Sequence, residues 1–207
     1  MSLPRNPGVV FEDPPIARLL FSDTRLSWLW LIARLYLAYS WLTAGWGKLN
    51  NPAWTQTGEA LRGFWTSAVQ VPASGRPPIT FDWYREFIST LLAGGHYVWF
   101  AKLMVFAELA VGTALLVGAF VGIAAFFGAF MNWNFLMAGT ASVNPVLFVL
   151  GIMLILSWKT AGYLGLDRWL LPLLGTPWRP GIAFAGDERR GSVSVADRAP
   201  SDDRQAA

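Results

Sequence analysis

Between Tyr97 and Gly118 the chain runs YVWFAKLMVFAELAVGTALLVG, a stretch whose only ionisable side chains are Tyr97, Lys102 and Glu108. As a helix rising about 1.5 Å per residue it is about 33 Å long, enough to cross a bilayer core of about 30 Å. Glu108 falls near its middle, where an ionised carboxylate costs at least a few kcal/mol unless it is paired, hydrated or protonated. Whatever this chain folds into has to supply one of those three remedies.

The rest of the composition agrees with a membrane setting. Apolar residues make up 54% of the 207 and charged ones 14%, against roughly 45–50% and 25% in ordinary soluble domains. The chain has no Cys and a single His. Thiolate nucleophiles, disulfides and iron–sulfur clusters built from its own side chains are therefore excluded, and neither a haem clamped by two imidazoles nor a metal centre is expected. A formal charge of +3 without a dense basic run argues against nucleic acid as a partner.

The expected fold is all-α: an integral membrane four-helix bundle with amphipathic surface helices in the loop between spans one and two. Residues 1–26, with Pro4, Pro7, Pro14 and Pro15, read as a flexible N-terminal arm without the pattern of a cleaved signal peptide. A membrane domain follows over 27–180, with spans at about 28–48, 97–118, 121–140 and 145–164. In the 49–94 connection one helix is expected within TQTGEALRGFWTSAVQ and another from Asp82, as N-cap, to Ala93, either packing on the bundle mouth or covering a ligand site. Residues 167–180 read as an interfacial segment, and 181–207, polar and poor in large apolar residues, as a disordered cytoplasmic tail. Arg and Lys cluster toward the two termini, whereas the long loop carries only Arg62, Arg76 and Arg85. The positive-inside tendency then makes both termini cytoplasmic and the protein a multi-pass component of the cell membrane.

Rise per residue sets the polar side chains at depths. Arg34 lies about 9 Å and Glu108 about 15 Å from the cytoplasmic end, with Tyr39 and Asn132 at about 16–17 Å and Asn134 about 3 Å higher. Helix phase groups Glu108 with Ala101, Met104 and Gly112, and Asn132 with Ala125, Gly128 and Gly139; small residues mark close helix approach, so both should face the bundle interior. Asn134 lies about 200° round from Asn132 and forms either a second site or a lipid-side polar residue. By these depths Arg34 is the one cation able to neutralise Glu108, but side chains lean toward their own helix N-terminus, which sends Arg34 and Glu108 apart. Pairing and snorkelling of Arg34 both stay open. Without a cation, Glu108 would keep its proton and donate a hydrogen bond, or simply tie helices together through Asn132 and Tyr39. Lys48, His96 and the three loop arginines are expected at the outer rim, attracting an anion or only solvating that face.

The segments WLTAGWGKLNNPAWTQTGEALRGFW, HYVWFAKLMVFAELAVGTALLVG, GAFMNWNFLMAGTASVNPVLF and WKTAGYLGLDRWLLP together resemble the DoxX/DoxD family of small four-helix membrane proteins, over residues 25–178. The DoxD type is the membrane subunit of thiosulfate:quinone oxidoreductase. The resemblance implies a subunit of a quinone-linked redox system, acting on thiosulfate or a related reduced sulfur compound with a second protein subunit. On that reading Glu108 is the proton donor or acceptor, Arg34, Tyr39 and Asn132 are polar contacts, and Trp41 and Trp133 are walls against the quinone ring. The alternative is a non-catalytic scaffold that recruits a soluble redox or stress-response partner through the tail. Self-association into a homo-oligomer is a further option beside the bilayer and the second subunit.

Overall fold

The structure, a computed structural model, describes residues 13–175 together with the backbone of 176 and 179–180. The first half of the N-terminal arm and the expected tail from 181 lie outside the described residues. What is described is essentially all-helical.

Helix α1, Pro15–Ser22, starts on a proline at its first position, where no N–H is needed. The arm is thus not irregular throughout. Phe21 stacks on Trp30 at 5.9 Å between centroids, and Trp30 Nε1 donates to the Leu20 carbonyl at 2.8 Å. Helix α2, Ser27–Leu49, buries Trp30, Arg34, Leu37, Ala38, Trp41 and Gly45, the three-and-four spacing of one helix face. Short helices α3 (Pro52–Thr55) and α4 (Glu59–Ala68) are followed by α5 (Asp82–Ala93), in which Asp82 is the first helical residue and Phe81 the cap. Then come α6 (Tyr97–Val117), α7 (Val121–Met137), α8 (Asn144–Leu156), the single turn α9 (Trp158–Ala161) and α10 (Asp167–Leu174). A two-residue antiparallel ladder, Gly175–Thr176 with Arg179–Pro180, ends the described chain.

Helices α2, α6, α7 and α8 pack as a bundle, with α2 against α6 and α7 against α8 as the largest interfaces. Helices α2 and α6 are antiparallel and close. A Cβ on Gly45 would stand 2.9 Å from the Leu109 side chain, and one on Gly112 would stand 2.9 Å from the backbone nitrogen of Leu42. These glycines set the approach distance and fix a register in which the last turn of α2 lies one turn from Glu108. Helices α3, α4 and α5 cap the end of the bundle where α2 finishes and α6 begins. The cap has its own core of Leu61, Trp65, Ile79, Tyr84 and Ile88 around Ala101.

Of the described helices, only α6 is both long and apolar enough to cross a membrane by length and composition. Helix α2 has the length, with 23 residues, but not the hydropathy. Helices α7 and α8, with 17 and 13 residues, rise only about 25 Å and 20 Å and are shorter than the spans expected at 121–140 and 145–164. Residues 138–143 form the connection instead, turning through Gly139 at φ 83 and Ser142 at φ 41. Helix α8 is prolonged by α9 through Ser157, whose N–H donates to the Met153 carbonyl and whose own carbonyl accepts from Ala161.

Candidate functional site: a buried ion pair beside unpartnered donors

Glu108 is paired, but not by Arg34. The Lys48 ammonium sits 2.6 and 2.7 Å from the two Glu108 oxygens, with 1% of the carboxylate side chain and 19% of the lysine exposed. Lys48, expected at the outer rim, instead reaches inward. It lies seven residues from Trp41 and three from Gly45 on the buried stripe of α2. A side chain leaning toward its helix N-terminus runs down from Lys48 and up from Glu108, so the rule that parts Arg34 from Glu108 brings Lys48 to it. Trp54 of α3 covers the ammonium at 5.1 Å, a cation–π contact that replaces part of its lost hydration.

Lys48 and Glu108 open onto a cavity of about 340 Å³ lined also by Ser40, Trp41, Phe64, Asn132, Phe135 and, near the surface, Ser142 and Val143. Asn132 is wholly buried, and neither its amide nitrogen nor its oxygen has a hydrogen-bond partner among the described residues. The indole N–H of Trp41, 3% exposed, is likewise unpartnered. Leaving such groups unsatisfied costs roughly 1–3 kcal/mol each. The ion pair and the residues that carry two idle donors and an idle acceptor thus line one pocket.

The other expected contacts lie elsewhere. Tyr39 is 70% exposed; it lies outside the inward phase of α2, and the residue of α2 beside Glu108 is Gly45. Asn134 accepts from the Tyr84 hydroxyl at 3.1 Å and donates to the Phe130 carbonyl, so it anchors α5 to α7 and not the polar layer. Trp133, 37% exposed, lines an apolar groove on the same side. Burial pushes the Tyr84 phenol up to about 12.

Arg34 is buried and neither pairs with Glu108 nor snorkels. Its guanidinium donates to the carbonyls of Ala161 at 3.3 Å and Leu164 at 3.0 Å, and Asp167 is the opposite charge that acts on it. A Cβ on Gly118 or Gly165 would overlap it. Asp167 in turn accepts from the backbone N–H groups of Phe120 at 2.6 Å and Val121 at 2.9 Å, capping α7 across the left-handed residues Gly118 and Phe120. Two of the three loop arginines are locally paired: Arg62 with Glu59 and Arg85 with Asp82. His96 accepts from the Trp99 indole. No group of three or more His, Asp or Glu able to hold a metal occurs among the described residues.

No family model, curated protein or solved structure matches the chain.

Proposed function

We propose that the chain is a multi-pass membrane protein with cytoplasmic termini, serving as a DoxX/DoxD-like membrane subunit of a quinone-linked redox system. The observation that carries this reading is Asn132, wholly buried with both polar atoms unpartnered, facing the cavity that holds Lys48 and Glu108. A membrane setting is supported by the outer faces of α6, α7 and α8, where Phe106, Phe126, Phe127, Phe130, Val146 and Val149 are all more than half exposed. A soluble monomer rarely presents that much contiguous apolar surface.

The donor set fits a quinone head. Asn132 Nδ2 and Trp41 Nε1 are free to donate to a carbonyl oxygen, and Glu108, its charge matched by Lys48, is the side chain that can take up and return a proton. A quinone held there supplies two-electron, two-proton chemistry, the electrons coming from a partner subunit that oxidises thiosulfate or a related reduced sulfur compound. This chain, without Cys, offers the partner's substrate no thiol.

The test is to purify the protein in mild detergent and analyse its lipid extract. Wild type should retain quinone at near one per chain, and Asn132→Leu should lose it while staying folded. A quinone-free wild type, together with unchanged quinone reduction by the assembled complex carrying Glu108→Gln, sinks the reading. Topology is checked separately. The Cys-free chain allows single labels at Asp13→Cys and Ser74→Cys, of which only the second should react with an impermeant reagent added outside.

A further inference from the structure

A second cavity, about 350 Å³, lies between the cap helices α4 and α5 and the bundle helices α6 and α7. Its walls are carbon almost throughout, including Leu61, Ile88, Leu91, Met104 and Met131. A cavity so lined stays dry and takes apolar matter. Phe64 and Phe135 belong to both cavities, and their rings meet edge to face at 6.4 Å. Neither ring is fully buried, and this ring pair stands between the polar pocket and the groove. At its far rim the groove reaches the surface at Trp83, Phe87 and Phe130, which are 58%, 49% and 51% exposed. The hydrogen bond from Tyr84 to Asn134 holds α5 over it.

From this shared wall we infer that the molecule taken by the polar pocket is an amphiphile with one long apolar chain. Its head lies against Asn132, Trp41 and the Lys48–Glu108 pair, and its chain passes Phe64 and Phe135 into the groove under α4 and α5. The inference rests on the reading of the polar pocket as a quinone site and adds the chain to it. Each cavity alone is at the small end of the roughly 300–1,000 Å³ of ligand pockets; a head the size of a single ring fills one and leaves the other for its chain. Helices α4 and α5 are then a roof over the chain, and entry is from the side, past the exposed aromatic rim, and not from water.

The experiment uses full-length protein in detergent, with affinities referred to the free aqueous ligand and binding read by tryptophan quenching. Three probes are compared: a chainless benzoquinone, its decyl derivative, and a bromine-tipped decanol that carries the chain without the head. The decyl quinone should bind at least about tenfold tighter than the chainless one, since each buried methylene is worth about fourfold. Leu91→Trp and Met131→Trp, which fill the groove from opposite walls, should each bring that ratio to about one. Asn132→Leu should weaken both quinones by the same factor. Equal affinities of the two quinones for wild type overturn the groove and leave the pocket standing. Binding of the bromodecanol alone, abolished by both tryptophan substitutions, keeps the groove and overturns the quinone pocket. Binding of none of the three overturns both.

Discussion

The two ends of the bundle bury charge in opposite ways. At the end where α6 turns into α7, Asp167 receives two backbone N–H groups and Arg34 gives two hydrogen bonds to carbonyls, one nitrogen of the guanidinium being left over. Every one of those partners is backbone, and two glycines are pared down to admit the guanidinium. At the other end Lys48 and Glu108 satisfy each other, but Asn132 and Trp41 beside them satisfy nothing and face a cavity. Buried polar residues engaged through most of their polar atoms, as Arg34 and Asp167 are, hold a fold together, whereas those left with every side-chain polar atom open at a stability cost need another explanation. The difference assigns the Arg34 end to architecture and the Asn132 end to binding.

The largest effect expected from breaking this contrast is at Arg34. Arg34→Met takes away the positive charge that acts on buried Asp167 and leaves two carbonyls without donors, which should cost roughly 1–3 kcal/mol for each carbonyl. Thermal unfolding of the purified protein should show it, while the quinone content of the molecules that remain folded stays at the wild-type level. Loss of quinone from folded Arg34→Met protein would erase the division between the two ends.

Next comes the ion pair. Lys48→Met strands a carboxylate that is 1% exposed; because the lysine itself is partly exposed, the cost should be smaller, about 2–3 kcal/mol. Adding Glu108→Gln should recover most of that loss, since the double variant removes both charges. The coupling between the two substitutions, measured in a double-mutant cycle of unfolding free energies, should exceed that between Arg34→Met and Glu108→Gln, which should be near zero.

Asn132→Leu turns the comparison around. A residue that served the fold would destabilise it when replaced, but Asn132 holds two unpartnered atoms, so an apolar side chain of similar size should leave stability unchanged or raise it by about 1–2 kcal/mol. Ligand retention should fall at the same time. Stability and binding moving in opposite directions is the signature of a binding residue.

Much of this was legible in the sequence, and the part that was not has two physical causes. The helices fall close to where hydropathy and turn residues put them, α4 and α5 included, and helix phase alone turned Glu108 and Asn132 inward through their shared faces with Gly112 and Gly128. Depth was the weaker guide. Counting rise from the span ends sets helices flush, whereas α2 and α6 are staggered by their glycine contacts, so that Lys48 comes within reach of Glu108 and Arg34 lies level with Gly118. Lys48 was available to phase reasoning, in step with Trp41 and Gly45; Tyr39 was out of step. The Asp167 cap was not available at all, because its partners are backbone N–H groups 46 and 47 residues away, and no side-chain pattern announces them.

The smallest effect separates the roof from both ends. Tyr84 is 4% exposed and donates to Asn134, a bond worth roughly 0.5–1.5 kcal/mol. Tyr84→Phe should therefore loosen α5 without unfolding the bundle, read as faster amide exchange over Asp82–Ala93 with that of α2 and α6 unchanged. The pH dependence has a definite sign. Burial raises the folded-state phenol from its ordinary 10.0 to about 12, so between those values the detached α5 has released its proton while the docked one still holds it. The detached state then binds fewer protons, and docking weakens as pH rises from about 10 toward 12. Exchange over α5 should accelerate through that window in wild type and show no such step in Tyr84→Phe. Were the step to survive the substitution, another group would be holding the roof, and the bond from Tyr84 to Asn134 would not be its latch.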